Sequence, residues 1–203
     1  MSTLIQPPPG FSMAPPLWMR RFTVAEYLRL LDTGFFCEGE PIELWEGWLV
    51  YKMPHNPPHA ASVRRTAKRV DRLLPNGWCS QAQLPILLSD SAPEPDVAVL
   101  RGEEAEFDVR LPESRDVAML IEVSDSTLAR DRTVMARMYA RASIPIVWIA
   151  NIPDGQVEVY TDPTGDCDEP TYRNRRDYPR GEDVPLVLDG VEVGRIPVAE
   201  LLP

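Results

Sequence analysis

LIEVSDSTLARDRTVMARMYARASIPIVWIAN, residues 120–151, decides the fold. Its two apolar runs, LIEV and IVWIA, are nearly unbroken, as central strands covered on both faces should be. Between them the spacing predicts a helix from about Ser126 to Ala142, with Met135, Met138, Tyr139 and Ala142 at i, i+3, i+4, i+7 on one packing stripe. Strand, helix, strand makes a mixed α/β pattern with helices on the faces of a central sheet. Glu122 interrupts the first run and is the one carboxylate that the pattern buries. Burying even a neutral polar group without a partner costs about 2–7 kcal/mol, and an ion costs more. Glu122 therefore needs company.

Side chains alternate along a strand, so Glu122 shares its face with Leu120 and Ser124. A second acid, Asp96, opens the strand signal EPDVAVL, and neighbouring strands can bring the two carboxylates together. Such a pair repels unless one is protonated or a cation lies between them. A divalent ion with a preference for oxygen ligands, such as magnesium, resolves the conflict.

The elements around this centre are legible at the level of capping and periodicity. Thr23 and Glu26 form a capping box at the head of a short helix that Gly34 stops. PIELWEGWLVYKM alternates on both sides of Glu46-Gly47, which reads as a hairpin. HAASVRRTAKRVDRLLPNG is a helix ended by Pro75 and Asn76-Gly77, and WCSQAQLPILL and EPDVAVLRG are strands. Residues 102–116 read as a loop, QVEVYTDP as a strand, and the tail from Asp162 as Pro- and Gly-rich with one or two short strands such as VPLVLDG. Residues 1–21, with PPP and PP, are expected to form a flexible arm, and residues 22–203 a single domain.

Five ordered blocks now carry a resemblance. PD at 95–96 followed by EVS at 122–124 resembles the PD-(D/E)XK nuclease superfamily. IELWEGWLV, PHNPPHA, PEPDVAVL, IEVSDST with DR at 131–132, and YARASIPIVWIAN are together similar to the Uma-two family of restriction-endonuclease-like proteins, over residues 22–161. The resemblance implies a restriction-endonuclease-like α/β (α+β) fold, a mixed central sheet flanked by helices. It also implies hydrolysis of DNA phosphodiesters, with Asp96 and Glu122 holding Mg2+ or Mn2+ and a bound water as nucleophile. In the common superfamily pattern a lysine stands two residues after the glutamate, and here that catalytic slot is Ser124. Uma-two relatives take the lysine from the next helix as DRxxK, where this chain has Met135.

A thioether cannot replace an ammonium. Two function classes therefore stand: a divalent-metal-dependent endonuclease, weakened or silenced by Met135, or a nuclease-fold protein that binds without cleaving. A hydrolase of another phosphate ester is a remoter third. Lys52 and Arg132 are the nearest substitute cations. Glu43 matches the family's acid at the hairpin and reads either as an outer metal ligand or as an ordinary strand-edge acid. His59 reads either as a group orienting water or phosphate, or as a residue of a helix start. His55 and His59 flank Asn56-Pro57-Pro58 and do not form a metal pair. Asp131 reads first as an acid placed for the helix dipole.

The whole chain sets limits. Its 203 residues carry a net charge of −10, which excludes coating nucleic acid through bulk electrostatics and leaves local basic patches, with Arg64, Arg65, Lys68, Arg69 and Arg72 first among them. The hairpin aromatics Trp45, Trp48 and Tyr51 read as core or homodimer interface. With 44% hydrophobic and 26% charged residues, strand-length apolar runs and no leader pattern, the expectation is a cytoplasmic protein with no membrane span. Three scattered cysteines form neither a disulfide framework nor a zinc cluster.

Overall fold

The computed structural model describes residues 20–37, 39–52 and 56–203. Residues 1–19 of the expected arm and His55 lie outside the described residues. In chain order the elements are α1 (Val24–Asp32), β1 (Ile42–Trp45), β2 (Trp48–Tyr51), α2 (Pro57–Asp71), β3 (Trp78–Gln81), β4 (Val97–Arg101) and α3 (Glu104–Phe107). Then follow β5 (Val117–Ser124), α4 (128–141), β6 (Ile146–Asn151), β7 (Gln156–Pro163), β8 (Tyr172–Pro179), β9 (Asp183–Leu188), β10 (Val191–Pro197) and α5 (Val198–Leu201).

Six strands make one mixed sheet in the order β3-β4-β5-β6-β7-β8, with β5 and β6 parallel and every other neighbour antiparallel. The parallel pair is the one that the apolar runs mark, and α4 crosses over between its strands. Alternation along β5 sends Met119, Ile121 and Val123 to the core beneath α2 and the β9–β10 hairpin, and Leu120 to the core beneath α4. Leu120 and Ile121 are both fully buried, each worth about 1.5–3 kcal/mol of transfer free energy. Charge substitution at either would break the sheet at its centre.

The other expected elements form for the expected reasons. Thr23 accepts from the Glu26 amide while Glu26 accepts from the Thr23 amide, closing the capping box. Glu46 (φ 48°) and Gly47 (φ 80°) supply the paired left-handed residues that a two-residue hairpin turn demands. A Cβ at Gly47 would also stand 2.6 Å from the Cβ of Arg21, so the chain approaching α1 rests on this glycine. Helix α2 begins earlier than its apolar periodicity indicates, because Pro57 and Pro58 sit in its first turn, where no amide is needed, behind Asn56 as cap.

Two sequence expectations need correction. The tail holds three strands, and β8 (YRNRRDYP) joins the main sheet, where only Tyr172 and Tyr178 are buried. A polar edge strand has no alternation to announce it. The loop at 102–116 contains the single turn α3 and a short 3-10 turn at Ser114–Asp116. No helix among the described residues is long and apolar enough to cross a membrane.

Candidate active site

The cleft lies where β4 begins and β5 ends. The antiparallel register pairs Val97 with Ile121, and continued by one residue it sets Asp96 level with Glu122. Both side chains then fall on the α4 face of the sheet, and both line one cavity of about 50 Å³ with Glu43, Lys52, His59 and Asp131. At about 10–15 Å³ per water, that volume holds an ion and a few waters.

Asp96 is anchored through both oxygens, Oδ2 most closely. Its Oδ2 accepts the Val123 amide at 2.9 Å and lies 3.0 Å from His59 Nε2, while Gln83 Nε2 stands 3.3 Å from Oδ1. The Asn56 cap accepts the His59 amide and thereby places the imidazole in the first turn of α2, at the strand ends. Glu122 is held by Tyr139, whose hydroxyl donates to Oε1 at 2.5 Å. Burial first, and then the charges of Asp96 and Asp131, push the Glu122 carboxyl well above the usual carboxylate range. Burial likewise raises the Glu43 carboxyl, despite the opposing pull of Lys52.

Lys52 enters from the end of β2. Its ammonium donates to the Glu94 carboxylate at 3.0 Å and the Glu94 carbonyl at 3.3 Å, with Glu43 Oε1 more loosely at 3.5 Å. Burial acts to lower its pKa, but Glu43 and Glu94 outweigh it and the net shift is upward, so it stays charged. Glu43 is thus the partner of Lys52 and of Trp45, whose indole donates to Oε2 at 2.6 Å, rather than an acid with free oxygens.

Helix α4 closes the cleft with an irregular turn. Its backbone is α-helical over Leu128–Arg130 and Ala136–Arg141 but π-helical over Asp131–Met135, a distortion that recurs at functional sites. Asp131 faces inward at 3% exposure, accepting from Ser124 at 2.7 Å and Thr127 at 2.5 Å, with Arg130 Nε at 3.2 Å. The dipole reading of Asp131 therefore gives way to a role in the cleft wall. Ser124, where the resemblance expects the superfamily's lysine, donates to Asp131 and clamps it.

Met135 also lines the cleft, buried at 4% exposure and packed with the core beneath α4. Arg132 does not: its guanidinium pairs with Glu158 on β7, two strands from β5, and with Asp154. Among the described residues, the lysine and arginine that line the cleft are Lys52 and Arg130, and the second was not anticipated. Its signal in sequence, an arginine next to Asp131, is indistinguishable from ordinary helix-surface charge. Glu122 also proves to be one of several buried acids, since Glu43, Asp96, Asp131 and Glu158 are each 4% exposed or less.

Among the described residues, no three acidic, histidine or cysteine side chains form a ready-made ligand cluster. The donor set still suits a hard ion, because magnesium is commonly held by one or two carboxylates and completed by waters and substrate phosphate. Asp96 and Glu122 fit that requirement, and the Glu122 carboxyl, raised first by burial and then by the charges of Asp96 and Asp131, stands where such an ion would neutralise charge.

The Uma2 family model, described as "Putative restriction endonuclease", matches residues 24–198. Among solved structures, a protein from Anabaena variabilis described as a "putative nuclease belonging to DUF820" superposes with a TM-score of 0.61 at 14% identity, covering 89% of this chain and 97% of that one. At that identity the match establishes the fold. No curated protein sequence matches the chain.

Proposed function

The chain belongs to the Uma2 family, and on that premise we propose that it is a nuclease hydrolysing DNA phosphodiesters with a divalent cation, Mg2+ or Mn2+, at Asp96 and Glu122. The observation that carries this reading is the geometry of the cleft, where the strand register sets Asp96 level with Glu122 on one face and both line a cavity with Asp131 and the ammonium of Lys52. A bound divalent ion supplies Lewis-acid charge at the phosphoryl oxygen and lowers the pKa of a water.

The protein's residues do the remaining work. His59 and the Val123 amide fix the Asp96 carboxylate in orientation, and Tyr139 fixes Glu122. Asp96 and Glu122 would hold the ion, and a cation there would favour the ionised form of Glu122. Lys52 meets a non-bridging phosphate oxygen by releasing its looser contact to Glu43 and keeping Glu94. Its ammonium then stabilises charge that grows as the phosphodiester is attacked. Glu43 serves as an outer acid that keeps Lys52 charged and aimed.

Calorimetric titration of magnesium and manganese, followed by plasmid cleavage, tests the proposal. Wild type binds the ion and nicks DNA; Glu122→Gln does neither. Absence of ion binding by wild type, or equal cleavage by the variant, would overturn it. One observation favours the silent-binder reading, namely Met135 in the wall where the resemblance expects a lysine. Ion binding with no cleavage is its signature in the same assay.

A further inference from the structure

A second cavity, of about 710 Å³, adjoins the acid cleft and shares Trp45 and Arg130 with it. One wall is a stripe of α4, in which Arg130, Val134, Arg137 and Arg141 recur at helical spacing. The other wall is a face of the β1–β2 hairpin. Its register pairs Glu43 with Val50 and Trp45 with Trp48, so side-chain alternation puts all four on one face. That face runs from the acid cleft at Glu43 into the groove at Trp48, and each further same-face pair lies about 6.7 Å along the strand.

The chemistry of the groove is aromatic and cationic. Arg130 stands over the Trp45 ring at 5.3 Å and Arg21 over Trp48 at 5.7 Å. Four arginines and one carboxylate line it: Glu46 pairs with Arg137 at 2.7 Å and Arg141 at 3.0 Å, while beyond the lining Arg130 meets Asp131 at 3.2 Å and Arg141 meets Asp90 at 3.6 Å and Asp166 at 3.8 Å. Arg137 Nε is buried with no hydrogen-bond partner among the described residues. In a chain of net charge −10, this is a localised attraction for a polyanion. A second copy of the chain is the poorer occupant, because an isologous contact would set arginines against arginines.

We propose that this groove binds a single-stranded or locally unpaired stretch of nucleic acid next to the cleavage point, with a base stacked on Trp48 and its phosphates facing the arginines. Stacking on an indole is open to any base, so the groove reads strand state rather than sequence. The proposal rests on the nucleic-acid reading of the cleft and assigns its substrate as unpaired strand.

The test is binding without metal, so that it is independent of catalysis. Fluorescence anisotropy, in the presence of a chelator, would compare an oligothymidylate of about 12 nucleotides, an abasic chain of the same length and a duplex. Wild type prefers oligothymidylate to the other two. Trp48→Ala weakens oligothymidylate binding about tenfold and leaves the abasic chain unchanged, while Trp48→Phe retains most of the affinity. Equal loss for both single strands, preference for duplex, or a dimer that Trp48→Ala dissociates would each overturn the groove assignment. Cleavage of plasmid with unaltered oligothymidylate binding in Trp48→Ala would remove this inference and leave the nuclease reading intact.

Discussion

Glu122 and Glu158 occupy the same rung of the same sheet. The register pairs Glu122 with Ile149 and Ile149 with Glu158, which puts their backbones two strand spacings, about 9–10 Å, apart on one face. Helix α4 covers both, and each accepts a tyrosine hydroxyl, Tyr139 in one case and Tyr160 in the other. Their electrostatics are opposite. Glu158 receives Arg132, Asn151 and Arg175 as well, and although burial pushes its carboxyl up, these partners pull it down to about 2. Burial raises the Glu122 carboxyl as well, and there the charges of Asp96, Asp131 and Glu43 push it further up. Consecutive residues of the π turn serve the two clusters, Asp131 adding charge to one and Arg132 removing it from the other. A buried acid that the fold neutralises belongs to the scaffold; one that the fold leaves overcharged awaits something from outside.

Removing the cation from the overcharged cluster is the sharpest way to probe that contrast. Lys52→Ala is expected to lower plasmid cleavage about 100- to 1000-fold, the usual loss of one preorganised electrostatic group. Lys52→Arg should recover only part, because a planar fork does not reproduce a point charge between Glu43 and Glu94. Steady-state nicking rates in manganese measure it, and a rate unchanged in Lys52→Ala would remove Lys52 from the chemistry.

The neutralised cluster should answer in stability instead. Glu158→Gln leaves Arg132 without its buried partner and is expected to cost about 2–4 kcal/mol in urea unfolding, with cleavage falling only as far as α4 shifts. The pH dependence has a definite sign. A folded-state pKa of about 2, below the unfolded value, gives stability that is present above the ordinary carboxylate range and lost as pH falls toward 2. Wild type therefore loses about 3 kcal/mol from this group across that acid limb, and Glu158→Gln does not. Superimposable acid limbs would show that the pairing contributes nothing.

Met135→Lys adds charge where the resemblance to the DRxxK pattern expects it. With Lys52 already in the cleft, the gain expected in cleavage is about tenfold, or roughly 1.4 kcal/mol. Lysine matches methionine in length and lack of branching, and its head would meet acids rather than apolar core. A protein that stays silent while still binding metal points to the binding-module reading.

How much of this contrast the sequence carries differs between the clusters. Strand β5 and its acid are legible because an apolar run broken by one glutamate has few alternatives, and Asp96 is legible as the acid that opens the preceding strand signal, EPDVAVL. Glu158 is hidden. In QVEVYT it alternates with Val157 and Val159 as a solvent-facing residue would, and its burial depends on Arg132 and on Arg175 from β8, a strand with no apolar pattern. Lys52 and Glu94 are 42 residues apart, so nothing local pairs them. Helical periodicity places Arg132 beside the cleft; the π turn and the pull of Glu158 take it to β7, two strands from Glu122.

The smallest expected effect separates frustration from mere burial. If the Glu122 carboxylate is held at a cost, Glu122→Gln should stabilise the metal-free protein by on the order of 1 kcal/mol at neutral and higher pH. The amide keeps an oxygen for the Tyr139 hydroxyl and removes the charge that Asp96 and Asp131 repel. A folded pKa above the unfolded one gives wild type stability that is full below the ordinary carboxylate range and declines as pH rises through the folded value. The two proteins should therefore unfold alike in mild acid and diverge toward alkaline pH, with the variant ahead. Saturating magnesium should reverse the order, since an ion at 100 times its Kd adds about 2.7 kcal/mol to a protein that binds it and nothing to one that does not. Parallel stability curves without metal would mean that Tyr139 and the surrounding dipoles already compensate Glu122, and the distinction between the two acids on this rung would then lie in access to solvent rather than in charge.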